Sequence, residues 1–266
     1  MTKEVRIAVV SDIHSNARAF EAALTALRSS GFDQLVVLGD LLTYGVEPEE
    51  VLEIAVREAA AGAVFIKGNH DQIYFDLARG RQDYLRSLPE WLRETVCWTQ
   101  ARIGSTGIDA RIFWRDEWVQ GPVLFAHANP FAFADWTYLN DDADFLRAGI
   151  VLRERGAKLG VFGHTHRPKV VLVQESPAAL TVIERVLGSS TTVELPKLGV
   201  AIFDIGSVGQ PRNSQKLSSA GIVTLAGDRI SCEWLSLDYD VRAHRQALSG
   251  SSMSEGTVQK LLGFFQ

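Results

Sequence analysis

Three short apolar runs, each closing on residues able to bind a metal or move a proton, constrain this chain more than any other feature. Val5-Arg6-Ile7-Ala8-Val9-Val10 is β-branched and mostly apolar, as a strand buried on both faces should be. It leads into Ser11-Asp12-Ile13-His14-Ser15-Asn16. Ser15 or Asn16 would cap the next helix, where Phe20, Leu24 and Leu27 recur at i, i+4 and i+7 and Gly31 marks the stop. The unit repeats, with Leu35-Val36-Val37-Leu38 ending at Gly39-Asp40. Pro48 suits the first position of the second helix, Glu49 and Glu50 its positive dipole end, and Val51, Ile54 and Ala55 its buried face. A third run, Ala63-Val64-Phe65-Ile66, ends at Lys67-Gly68-Asn69-His70-Asp71. This β-α-β-α-β order implies parallel strands with right-handed crossovers. It sets the polar residues just past the carboxyl ends of the strands, where open α/β sheets bind ligands.

Residues 72–101 read as mainly helical, with Trp91 and Trp98 as packing anchors. From Arg111 to Ala126 the pattern is two strands joined near Gln120-Gly121, the second ending at His127. Phe131 to Trp136 is aromatic and loop-like, a packed surface loop or a lid. A helix over 141–155 would bury Phe145, Leu146, Val151 and Leu152, and Leu159-Gly160-Val161-Phe162 then leads into Gly163-His164-Thr165-His166. Beyond Pro168 the chain turns strand-rich, with runs at 170–173, 181–186, 191–195, 200–205 and 221–225. A hairpin turn at Gly227-Asp228 feeds a strand from Ile230 to Leu237, and two short helices close residues 238–266. Without internal repeat or linker, the expectation is one domain spanning 1–266, two packed sheets flanked by helices.

A chain of 266 residues can bury such a core without disulfide staples. Its two cysteines, Cys97 and Cys232, are expected to be buried free thiols. A net charge of −5 argues against a general nucleic-acid surface. No apolar run reaches the ~18–20 residues of a membrane span, and the first strand begins too early for a signal peptide. The location expected is therefore cytoplasmic, with no membrane partner.

Of six histidines, five (His14, His70, His127, His164 and His166) follow directly on expected strands, with Asp12 and Asp40 in equivalent places. Burial gives no reason to collect such residues at one sheet edge; metal binding does. Imidazoles and carboxylates without thiolate suit Mn, Fe or Zn rather than a closed structural zinc site. Two such ions about 3.5–4 Å apart can hold a hydroxide between them and assist an in-line displacement at phosphorus.

The series Asp12-x-His14, Gly39-Asp40, Gly68-Asn69-His70-Asp71, His127 and Gly163-His164-x-His166 resembles the calcineurin-like metallophosphoesterase family, over residues 5 to about 213. The resemblance implies a four-layer α/β/β/α sandwich, an α/β fold with a binuclear centre. It implies two divalent transition-metal ions, manganese foremost and iron, zinc, nickel or cobalt as alternatives. Asp12, His14 and His166 would hold one, Asn69, His127 and His164 the other, with Asp40 bridging. His70 would touch the scissile phosphate or protonate the leaving oxygen, and Asp71 would orient it. The activity implied is hydrolysis of a phosphodiester or phosphomonoester by a metal-bridging hydroxide, on a small phosphate-ester substrate.

Finer features resemble the prokaryotic branch labelled diadenosine-tetraphosphatase-like or protein-phosphatase-like: Asp12-Ile13-His14-Ser15-Asn16, Gly39-Asp40-Leu41-Leu42-Thr43-Tyr44-Gly45 and Gly206-Ser207-Val208-Gly209-Gln210-Pro211-Arg212. Asn16, Tyr44 and Arg212 become candidates for substrate contact, against a helix cap, core packing and a surface salt bridge. The chain departs from that branch in Ala128 after His127, in Asp204-Ile205 before Gly206-Ser207, and in a longer stretch over 175–199. A protein phosphatase, which needs an open groove, and a non-catalytic metal-binding scaffold are the competing readings.

Overall fold

The computed structural model describes residues 4–104, 107–108, 112–175, 180–186, 190–195 and 199–265. Its first half alternates as expected through β1 (Val5–Val10), α1 (Ala17–Ser30), β2 (Gln34–Val37), α2 (Pro48–Ala60) and β3 (Val64–Ile66), with the three strands parallel and in sequence order. The helical stretch that follows is three pieces, α3 (Asn69–Ala78), α4 (Asp83–Ser87) and α5 (Glu90–Ile103). Trp91 and Trp98 are only half-buried on α5, whose buried stripe is Leu92, Thr95, Val96 and Thr99. At 3.6 residues per turn those four share one face, and positions 91 and 98 fall about a quarter turn away.

Next come β4 (Trp114–Arg115), parallel to β3, and the hairpin β5 (Trp118–Gln120) and β6 (Val123–Phe125). Arg111, where the sequence placed the start of this region, lies outside the described residues. α6 (Asp142–Glu154) is capped by Asp141, which accepts from the Asp144 N–H. The remaining strands are β7 (Leu159–Phe162), β8 (Lys169–Glu175), β9 (Leu180–Val186), β10 (Ser190–Glu194), β11 (Val200–Asp204), β12 (Ser218–Ala226) and β13 (Arg229–Leu237). Within the longer 175–199 stretch, residues 176–179, 187–189 and 196–198 lie outside the described residues. α7 (Val241–Ser249), α8 (Glu255–Leu262) and a 3-10 turn, Gly263–Phe265, end the described chain.

Two mixed sheets result, ordered β10-β13-β12-β1-β2-β3-β4 and β5-β6-β7-β11-β8-β9. The period of two along each strand sorts its side chains into layers. Ala8, Val10, Leu35 and Val37 face α1 and α2, while Ile7, Val9, Val36 and Leu38 meet Phe125, Val161, Val170 and Phe203 of the second sheet. On the far side of that sheet Leu124, Phe162, Val171 and Ile202 pack on Phe145, Ala148 and Leu152 of α6. These are the four layers, α/β/β/α, expected from the sequence.

α7 and α8 form a separate apolar cluster on α5, in which Leu248, Met253, Val258 and Leu261 join Leu92 and Tyr44. Glu94 of α5 ties it down, accepting from the Ser254 N–H at 2.5 Å, the Ser254 hydroxyl at 2.6 Å and the Thr257 hydroxyl at 2.5 Å. Both cysteines are free, but only Cys232 is buried; Cys97 is exposed on α5. Among the described residues no helix is long and apolar enough to cross a membrane.

Candidate metal centre

The carboxyl ends of β1, β2, β3, β6 and β7 carry the polar loops to one rim of the sandwich, where main-chain bonds lace them together. Asp12 N donates to Gly39 O at 3.0 Å, His14 N to Asp40 O at 2.9 Å, Gly163 N to His127 O at 2.9 Å and Arg212 N to His166 O at 3.1 Å. The loops pack so closely that a Cβ on Gly68 would overlap the Asp40 carboxylate, and one on Gly163 would overlap Ser11 and Asp12. Five of the expected ligands occupy left-handed backbone: Asp12 (φ 54°), His14 (50°), Asp40 (54°), His164 (66°) and His166 (60°). Non-glycine residues there cost on the order of 1–3 kcal/mol each, and such strain persists where the surroundings over-determine it, as at functional sites.

Two groups of three side chains converge, Asp12 with His14 and His166, and Asp40 with His127 and His164. In the first, His166 Nε2 is 3.1 Å from Asp12 Oδ1 and 3.2 Å from His14 Nε2. Asp40 Oδ2 lies 3.5 Å from His127 Nε2 of the second group and 3.8 Å from His14 Nε2 of the first, while Asp40 Oδ1 accepts from the His70 N–H at 2.8 Å. Asn69 Oδ1 approaches His127 Nε2 at 3.1 Å. All seven expected ligands are brought together.

Each of the four imidazoles is oriented by a main-chain carbonyl. His14 Nδ1 meets Leu42 O at 3.1 Å, His127 Nδ1 meets Leu38 O at 2.7 Å, His166 Nδ1 meets Gln210 O at 2.6 Å, and His164 Nε2 meets Trp136 O at 3.0 Å. A carbonyl only accepts, so the contacting nitrogen carries the ring proton and the other keeps a lone pair. Burial depresses the pKa of His14, His127 and His166, and takes His164 down to about 3, so all four rings are neutral. Asp40 is pushed well above the usual carboxylate range by burial and by the Asp12 and Asp71 carboxylates. Asp12 Oδ1 is buried without a hydrogen-bond donor. Lone pairs and carboxylate oxygens facing one another with no donor among them need a cation, so the residues fit the metals that the resemblance implies.

His70 is buried beside this array, its ring edge-on to His14 at 5.2 Å and 4.8 Å from the Tyr44 ring, with Nδ1 lacking a partner. Asp71 does not orient it by a hydrogen bond. The Asp71 carboxylate accepts instead from Asp40 N at 2.7 Å, Leu41 N at 2.9 Å and Gly68 N at 2.9 Å, clamping the Gly39 turn to the Gly68 loop. Asn16, one of the substrate candidates, is also fully committed. It caps α1 through Oδ1 and donates through Nδ2 to Gly209 O and the Tyr239 hydroxyl, both at 3.1 Å, with no exposed surface.

Tyr44 is buried between His14, at 4.6 Å, and Trp91, at 6.0 Å. Arg212 is half-buried, donating to Gln210 Oε1 at 2.8 Å and lying 5.4 Å from the Phe264 ring. With burial it depresses the His70 pKa, which sets its charge beside that ring.

Several contributors escaped sequence reasoning. Thr165 donates to Asp204 Oδ2 at 2.5 Å, so the Asp204 departure anchors the turn between His164 and His166. Burial raises the Asp204 carboxyl to about 7. Tyr138 stacks on His164 at 4.0 Å. Asn129 staples the 131–136 loop by donating to Asp135 O at 2.8 Å and Thr137 O at 3.0 Å. An exposed tyrosine and an asparagine after a strand carried no signal strong enough to single out.

A family model described as calcineurin-like phosphoesterase matches residues 5–168. An uncharacterized protein of Methanocaldococcus jannaschii is 26% identical over 261 residues, 96% of each chain. A metallophosphoesterase structure from Sphaerobacter thermophilus is similar with a TM-score of 0.75 and 24% identity, over 97% of this chain and 98% of that one. A hypothetical protein from Pyrococcus horikoshii is similar at 0.71 and 18% identity, over 97% of both.

Proposed function

This chain belongs to the calcineurin-like phosphoesterase family, and from its site we propose that it hydrolyses a small phosphodiester or phosphomonoester at a binuclear metal centre. It is a metal-dependent phosphoester hydrolase. Asp12, His14 and His166 would hold one cation and Asn69, His127 and His164 the other, with Asp40 placed between the two groups; manganese is the metal we propose for both. Two divalent cations at such a site supply an activated water and neutralise charge developing at phosphorus. The observation that carries this reading is Asp40 Oδ2, within 3.5 Å of His127 and 3.8 Å of His14, equidistant enough to serve both groups.

The chain's own residues do the rest. His70 sits against the centre and delivers a proton to the leaving oxygen. Burial and Arg212 depress its pKa; an anionic phosphate beside the ring would raise it toward neutrality. Arg212, held by Gln210, presents its guanidinium to the phosphoryl oxygens. The 131–136 loop, through Trp136 O on His164, acts as a lid on one side.

The test is a hydrolysis panel with added Mn²⁺, covering a generic diester, a generic monoester, cyclic nucleotides, dinucleoside polyphosphates and a phosphopeptide, with metal content measured alongside. Turnover of small esters is expected. Asp40→Asn should lower metal content and rate together, and His70→Ala should keep metal but lose on the order of 10²–10⁴ in rate. Bound metal with silence across the panel would favour the scaffold, and turnover of the phosphopeptide alone would favour the protein phosphatase.

A further inference from the structure

His164 is held differently from the other three imidazoles of the centre. His14, His127 and His166 take their orienting carbonyls from Leu42, Leu38 and Gln210, all of them buried. His164 takes its carbonyl from Trp136, a half-buried residue of the surface loop that follows His127. Two positions on, Tyr138 lies flat against the same imidazole, with ring centroids 4.0 Å apart and planes 20° from parallel. One short strap, residues 136–138, thus makes both contacts to a ring of the second ligand group.

The two contacts do different work. The Trp136 carbonyl fixes one bond direction in the imidazole plane and makes Nε2 the protonated nitrogen, which leaves the lone pair on Nδ1. It does not stop the ring from turning about that bond. A stacked neighbour does, because turning the imidazole out of the stack gives up the contact, worth about 0.5–1.5 kcal/mol beyond the area it buries. Carbonyl and phenol ring together therefore set where the Nδ1 lone pair points.

The strap is pinned on either side of Tyr138. Asn129 donates to Asp135 O and Thr137 O before it, and after it Leu139 is buried in the cluster that includes Phe145 and Leu152. Tyr138 itself is 42% exposed, so the core places little demand on its ring; what the ring covers is a candidate metal ligand.

Resting on the binuclear reading of the centre, we propose that Tyr138 is a positioning residue for His164, and that it sets the affinity of the cation at Asn69, His127 and His164 without affecting the one at Asp12, His14 and His166. The separation follows from the contacts. The rings of the first group are oriented by the carbonyls of Leu42 and Gln210, which lie outside the strap. The coupling is reciprocal, so an ion bound by His164 also holds the strap in place.

Equilibrium dialysis of the chelated full chain against graded Mn²⁺, with metal analysis, tests this by counting the ions bound. The parent should take up two. Tyr138→Ala should also take up two at saturation, one of them weakened about 10–100-fold, the usual cost of losing a group that orients a metal ligand, and the other unchanged. Tyr138→Phe keeps the stacked ring and should match the parent. His164→Ala identifies the weakened site, since adding Tyr138→Ala to it should cost no further affinity. The chelated Tyr138→Ala protein should melt close to the chelated parent. Parent affinities in Tyr138→Ala, equal weakening of both ions, further loss in the double variant, or a melting temperature well below the parent's would each overturn the assignment. A parent that binds fewer than two ions would instead bring down the binuclear reading, and the role of Tyr138 with it.

Discussion

The rings of His14 and His166 face each other across 3.2 Å, Nε2 to Nε2, deep within the rim of the sandwich. Their Nδ1 atoms are committed to the carbonyls of Leu42 and Gln210, so neither facing nitrogen holds a proton while the rings are neutral. Two lone pairs in apposition repel until a cation is shared between them, which makes the fold itself sensitive to metal. Chelation should therefore lower the melting temperature, and Mn²⁺ should restore it. At a hundredfold excess over Kd the gain is about 2.7 kcal/mol for one site. Calorimetry with and without EDTA measures it, and an unchanged melting temperature would contradict the cation's place.

Asp71 should matter to stability even when no metal is bound. Its carboxylate satisfies three buried N–H groups, of Asp40, Leu41 and Gly68. Asparagine replaces one acceptor oxygen by a donor and turns it against an N–H. Asp71→Asn should cost about 2–4 kcal/mol in urea unfolding of the chelated protein, from a lost charged hydrogen bond and an orphaned donor. A variant equally stable but slower would return Asp71 to the role of orienting His70.

Gly68 tests how the loops are spaced. A methyl group there would overlap the Asp40 carboxylate and the Asp40 backbone nitrogen, neither of which can retreat without breaking the turn. Gly68→Ala should fold, because the β3 core is untouched, yet lose metal. Metal analysis after dialysis reads this directly, and full loading would show that the rim is looser than the packing indicates.

Much of this was legible from residue order alone, for a physical reason. Strand periodicity and residue type are local signals, so β1, β2, β3 and the ligands at their ends could be read from short windows. What could not be read depends on distant partners. Asn16 is closed off by Gly209 and Tyr239, 193 and 223 positions away, and Asp71 is claimed by N–H groups about 30 positions earlier. The carbonyls of Leu38, Leu42, Trp136 and Gln210 orient the imidazoles with groups every residue carries, so no side-chain pattern announces them. Nor does sequence show that Asp12 and Asp40 adopt left-handed backbone, since neither is a glycine.

His244, which is not one of the expected ligands, sets a pH dependence of its own. It is buried under α8 beside Phe265, with Glu47 at 4.0 Å, and burial, aided by Arg18, lowers its pKa from 6.5 to about 4. Between those values the unfolded chain binds a proton that the folded chain does not, so its contribution is present above pH 6.5 and is lost as pH falls toward 4. The most it can remove is about 3 kcal/mol. Denaturant unfolding from pH 7.5 to 5 should show stability declining, and His244→Phe should flatten the decline. An equal slope in both proteins would assign it to other groups.

Phe264 links the end of the described chain to the centre. Its ring lies 5.4 Å from the Arg212 guanidinium carbon and 6.2 Å from Tyr44, whose own ring is 4.8 Å from His70. The guanidinium is thus held from two sides, by the Gln210 amide oxygen and by an aromatic face. A cation–π contact at a half-exposed site is worth about 1 kcal/mol, so Phe264→Ala should raise KM about fivefold. It should leave metal content and kcat nearly unchanged, because no ligand touches the ring. Phe264→Trp retains an aromatic face and should recover the parent KM, whereas a general loosening of the Gly263–Phe265 turn would not be rescued by tryptophan. Should kcat fall with KM unmoved, Arg212 would act on the reacting phosphorus without help from the helices packed over it.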